Sequence, residues 1–124
     1  ALETMVGGGV GRRAQIGGHR APGSWVSGAS MRLLEAGDYA VLATDLAACD
    51  AYGEALETAA KLSCPALLLC GSDDKMTPAK LARPLAEALP DCATKVLPDA
   101  GHMMMIEQPD ETLDVLADFF GGKA

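Results

Sequence analysis

A run of five apolar residues, Ala66 to Cys70, enclosed by Pro65 and Gly71, constrains this chain more than any other stretch. Without polar alternation it suits a strand buried on both faces, as in a parallel sheet, better than a strand with one wet face. Downstream, Thr77 is placed to cap a helix with Pro78 at its first position, and Leu81, Leu85 and Leu89 recur on one face before Pro90 stops it. The spacing predicts a helix from about Pro78 to Leu89. Ala93 to Leu97, which carries Thr94 and Val96 between Pro90 and Pro98, then reads as a second strand. A strand, a crossover helix and a strand make a parallel unit, so the carboxyl ends of both strands lie at one edge of the sheet. Asp73 and Asp74 fall in the loop leaving the first strand, and His102 in the loop leaving the second. That edge is where open parallel sheets gather ligands and catalytic groups.

Pro65, the apolar strand, Gly71, Asp74 and Pro78 are followed by Ala100-Gly101-His102, Glu107, Pro109 and a final run ending in Phe119-Phe120. This series resembles the C-terminal part of the α/β-hydrolase family, over about Cys64 to Phe120 and only weakly before that. The resemblance implies an α/β fold, here a partial one: a short parallel β-α-β unit with flanking helices over residues 64–124, preceded by a glycine-rich, helical, lid-like segment over residues 1–63. It also implies that Asp74 is the acid and His102 the histidine of a catalytic triad, in the family's order of acid before histidine. In a triad the carboxylate fixes the tautomer of the histidine, whose other ring nitrogen takes the proton of the nucleophile.

The nucleophile is not legible. No G-x-S-x-G elbow occurs in the chain, and the elbow needs small residues on both sides because its strand-to-helix turn leaves no room for bulk. Ser30, in Gly28-Ala29-Ser30-Met31-Arg32, has the first glycine but Arg32 in place of the second, with Trp25-Val26 before it as a potential strand. The upstream loop that completes the family's oxyanion hole is missing as well, and with it the largest electrostatic contribution to acyl transfer. The expected function is therefore the C-terminal part of a hydrolase, supplying Asp74 and His102 and inactive alone. The alternatives are a minimal hydrolase using Ser30 and a non-catalytic module derived from a hydrolase. Relatives act on esters, lactones, halides, epoxides and carbon–carbon bonds, so a small-molecule substrate follows without its identity.

Residues 1–28 are rich in glycine and show no sustained period, which predicts a loop. Gly9-Val10-Gly11 with Ala14 satisfies a dinucleotide-binding pattern only formally, without the strand and helix that it needs. His19 reads as a solvated loop residue. Ser30 to Glu35 predicts a short helix ended at Gly37, and Leu42, Leu46, Cys49, Ala55 and Leu56 continue at helical spacing to Leu62, with Gly53 as a break. Asp45, Asp50, Glu54 and Glu57 read as its solvated face. Met103, Met104 and Met105 suit core packing, and an apolar acyl pocket less so. The last helix begins near Pro109, presents Leu113, Leu116, Phe119 and Phe120 to the sheet, and stops at Gly121.

Net charge is −7, divided into +3 through Arg32 and −10 beyond it. Basic residues are few and aromatics fewer, which argues against nucleic acid as a partner. No apolar stretch approaches the roughly 20 residues of a membrane span, and the start shows no secretory signal, so the expectation is a cytoplasmic protein. Cys49, Cys64, Cys70 and Cys92 lie in apolar surroundings without C-x-x-C spacing, which predicts buried thiols and no metal or cofactor site. Two strands alone leave sheet edges open, so the chain is expected to pair with a second copy or a complementary chain.

Overall fold

The computed structural model describes residues 2–18 and 25–122; the expectation for His19 lies outside them. In chain order the elements are α1 (Leu2–Gly9), α2 (Arg12–Gln15), α3 (Val26–Ala36), α4 (Tyr39–Ala51), α5 (Ala55–Ala59), β1 (Ala66–Gly71), α6 (Ala79–Ala88), β2 (Cys92–Leu97), α7 (Met104–Glu107) and α8 (Pro109–Phe120). β1 and β2 pair in parallel with Ala66 opposite Cys92 and Gly71 opposite Leu97, so the two strands end together.

The first half departs from expectation at the glycine-rich start, which is helical rather than loop-like. Val6, Val10 and Ala14 recur every four residues across the two short helices and the bend between them, a spacing that the intervening glycines hide, and they are buried together with Val26. Burial of these side chains outweighs the cost of about 1 kcal/mol that each glycine carries in a helix. A helix, not a strand, precedes Gly9-Val10-Gly11, which removes the dinucleotide reading. α3 also begins earlier than predicted: Val26 is its first residue, so the potential strand at Trp25-Val26 that the Ser30 alternative needs does not form. α4 starts from Asp38, whose side chain accepts a hydrogen bond from the Ala40 N–H at 2.8 Å. It buries no residue, and the acidic residues Asp45, Asp50, Glu54 and Glu57 face water as read.

The second half follows the predicted order with three corrections. Residues 66–69 of β1 are only half-buried, because among the described residues β2 is the one strand that pairs with it; Cys70 and Gly71 are fully covered. Helix α6 begins at Ala79 after Pro78, so Thr77 is not its cap, and Leu81 faces solvent while Leu85 and Leu89 are half-buried. In α8, Thr112 and Val115 turn inward, with Val115 against Leu97, Ala100 and Met104; Leu113 and Phe120 stay exposed. Pro109 and Gly121 bound that helix as read. The thiols divide likewise: Cys70 is buried and Cys92 half-buried, whereas Cys49 and Cys64 are exposed, since α4 buries no residue along its length and Cys64 sits in the turn before β1.

Candidate active site

The loops leaving β1 and β2 are laced together by backbone. Ser72 N–H donates to the Leu97 carbonyl at 2.9 Å and Asp73 N–H to the Ala100 carbonyl at 2.8 Å, while the Asp99 N–H donates to Ser72 Oγ at 2.9 Å. A side chain at Gly71 would press into the Ala100 and Gly101 carbonyl oxygens, which explains glycine at the strand end. Asp99 turns the chain with a φ of 58°, a conformation that Asp tolerates better than most residues.

This lacing carries Asp74 to His102. Asp74 Oδ2 lies 2.9 Å from His102 Nδ1, while Asp73 turns to a different surface beside Arg12, Arg13 and Asp99. Asp74 is 6 % exposed and fully engaged. Its Oδ1 accepts from the N–H groups of Met76 at 2.8 Å and Thr77 at 2.9 Å, and its Oδ2 accepts from the Thr77 hydroxyl at 2.8 Å. Thr77 Oγ1 is also 3.1 Å from His102 Nδ1. Since its own hydrogen goes to the carboxylate, the ring N–H is shared between Asp74 and Thr77. With Nδ1 donating, Nε2 keeps the lone pair that can take up a proton. His102 Nδ1 is therefore held by a carboxylate and a hydroxyl from one turn, and Thr77, read from sequence as a helix cap, is part of the site. The signal available in the sequence was the Asp-x-x-Thr spacing, which lets an acid accept from backbone two and three residues ahead.

Burial pushes the Asp74 carboxyl up, but the Thr77 backbone N–H, the His102 ring and the Thr77 hydroxyl together outweigh it and hold the group below the usual carboxylate range. The folded chain then binds fewer protons than the unfolded one near the unperturbed carboxylate value of about 3.9. The stabilisation is present in full above about pH 4 and is lost as pH falls through the lower folded value. Urea midpoints of the native chain and of Asp74→Asn, measured from pH 6 to pH 2, are expected to converge toward the acid end. Burial, with the Asp74 charge beside it, pushes the Cys70 thiol up and keeps it protonated.

Met76 and Met103, the neighbours of the two loops, meet Met5, Val6, Ser30 and Leu34 around an open cavity of about 210 Å³ whose wall is almost wholly apolar. The methionine run thus divides: Met104 packs in the core with Leu97 and Ala100, Met103 lines the cavity, and Met105 is exposed. Ser30 lies within helix α3 rather than on a strand-to-helix turn.

The family model for the alpha/beta hydrolase family matches residues 7–115. The chain belongs to this family. As a family member it is 34% identical over 65 residues to the pimeloyl-[acyl-carrier protein] methyl ester esterase of Chromobacterium violaceum, a match over 52% of this chain and 26% of that protein. It is similar in structure to Rv0554 from Mycobacterium tuberculosis, at 31% identity and a TM-score of 0.54, covering 57% of this chain and 26% of that one. A thermophilic esterase superposes over 100% of this hydrolase-family chain and 46% of its own, at 26% identity and a TM-score of 0.75. The chain spans about a quarter of the length of the curated relatives it matches. No described helix is long and apolar enough to cross a membrane, and no described group of His, Cys, Asp and Glu side chains is arranged to hold a metal ion.

Proposed function

We propose that Asp74 and His102 are the acid and the general base of a hydrolase of esters or related acyl compounds, whose nucleophile is supplied from outside these 124 residues. The observation that carries this reading is the 2.9 Å contact between Asp74 Oδ2 and His102 Nδ1, because a carboxylate on Nδ1 is what readies Nε2 to accept a nucleophile's proton. The apolar cavity beside Met103 supports a substrate with an apolar acyl part, and the ester hydrolases among the similar proteins support the bond type. Residues 1–63 act as the lid over that cavity in this reading, and the protein works in the cytoplasm.

In this reading the chain alone activates a nucleophile that it does not hold, and the donors for the oxyanion come with that nucleophile. A serine-directed fluorophosphonate, followed by intact mass and peptide mapping, is expected to leave the 124-residue chain unlabelled and to label a form extended in frame at a glycine-flanked serine. Stoichiometric labelling of Ser30 that vanishes in His102→Ala would replace this reading with that of a minimal hydrolase.

A second reading, a non-catalytic module that assembles with a second copy of itself, is favoured by the two-stranded sheet and by the exposure of Leu81, Leu113 and Phe120 on α6 and α8. The two readings share the association and differ in the labelling result.

A further inference from the structure

We propose that the glycine-rich stretch Gly8 to Gly11 is a strap that positions the Asp74–His102 pair, with Glu107 as its buried fastening. The proposal rests on the reading of that pair as an acid and a base. The residues flanking both members bond to this one stretch or to its fastening. Lys75 N–H, next to Asp74, donates to the Gly8 carbonyl at 3.3 Å, and Met103 N–H, next to His102, donates to the Gly9 carbonyl at 3.2 Å. On the other side of the histidine, Gly101 N–H donates to Glu107 Oε2 at 3.0 Å, and Gly11 N–H donates to the same oxygen at 3.0 Å. Strap and histidine loop are thus joined through a single carboxylate oxygen, whose residue lies 96 positions after Gly11 and 6 after Gly101.

Glu107 has no other evident reason to be where it is. It is 1 % exposed, among the largest fully buried side chains, and its Oε1 has no hydrogen-bond partner among the described residues. Burying an acid so completely is costly, and what it gains here is the capture of two backbone N–H groups that would otherwise be unpaired in the interior. The glycines admit the close approach: a Cβ on Gly11 would lie 2.6 Å from Glu107 Oε2 and 2.7 Å from Gly101 N, and one on Gly9 would lie 3.1 Å from Met76 Sδ. Tolerances this tight transmit a shift of the strap to Gly101, and from there to the neighbouring His102. Glu107 is a positioning residue in this account, since it touches the loop and not the ring.

The test uses the 124-residue chain and two readouts, amide hydrogen exchange at Gly11 and Gly101 and the imidazole ¹⁵N shifts of His102, assigned by their loss in His102→Ala. In the native chain His102 is expected to hold one tautomer, protonated on Nδ1; a ring averaging both tautomers would overturn the acid–base reading and the strap with it. In Glu107→Ala both amides are expected to exchange about 10- to 100-fold faster, in line with the cost of leaving a buried donor without its acceptor, and His102 to become a mixture of tautomers. Glu107→Gln keeps a carbonyl oxygen for the two N–H groups and places its NH₂ where Oε1 has no partner among the described residues, so it should restore both signals. Faster amide exchange with an unchanged His102 ring would leave the acid–base reading standing and overturn the positioning role. Should Glu107→Ala fail to fold by circular dichroism, Gly11→Ala carries the same test: a changed ring supports the strap and an unchanged one overturns it.

Discussion

In a form of the protein that carries the nucleophile, Asp74→Asn is expected to lower kcat about 10⁴-fold without unfolding the chain, the loss seen when a triad carboxylate becomes an amide. The cause is the tautomer. An Asn side chain presents either an NH₂, which cannot accept from Nδ1–H, or a neutral carbonyl, which stabilises the imidazolium less than the carboxylate does. The Nε2 lone pair is lost in the first case and the developing charge is left unsupported in the second. Thr77→Val removes only the hydroxyl that sits 2.8 Å from Asp74 Oδ2 and 3.1 Å from His102 Nδ1, leaving the backbone bonds to Oδ1 in place. One hydrogen bond to a charged group corresponds to a loss of about 10- to 100-fold. Steady-state kinetics on a chromogenic ester separate the two variants, and a loss below tenfold for Asp74→Asn would remove Asp74 from the mechanism.

The 124-residue chain is also expected to dimerise, giving about twice the monomer mass by light scattering at micromolar concentration. Among the described residues β1 has a hydrogen-bonded neighbour on one side only, and an unpaired strand edge is a template for another chain. Leu81 is 65 % exposed, Leu113 64 % and Phe120 80 %. Full burial of such side chains is worth about 1.5–3 kcal/mol each. Since a fifth to a third of each is already covered, burying all three on both protomers gains roughly 6–13 kcal/mol, of the same order as an association cost of about 4–15 kcal/mol, and pairing across the open strand edge adds to it. Leu113→Glu with Phe120→Glu should shift the mass toward the monomer. A native monomer that unfolds cooperatively at the same concentration would contradict the dimer.

From residue order alone came the strand at Ala66, the crossover helix, the second strand and the placing of Asp74 and His102 in two loops at one sheet edge. These features are written in local terms: an apolar run between Pro65 and Gly71, proline punctuation at Pro78, Pro90 and Pro98, and Gly101 before the histidine. Tertiary structure decided the rest. The glycine-rich start is helical because Val26 covers Val6, Val10 and Ala14, a partner that no local window contains. Thr77 serves the carboxylate and not the helix, because the acid's own turn brings Asp74 Oδ2 to its hydroxyl and His102 arrives from a different strand. Glu107, matched to a family pattern without a role, proved to join Gly11 to Gly101. Periodicity reports which residues share a face, but a backbone N–H left unpaired in the interior is satisfied by whatever the fold brings near, and that is settled only when both halves of the chain are packed together.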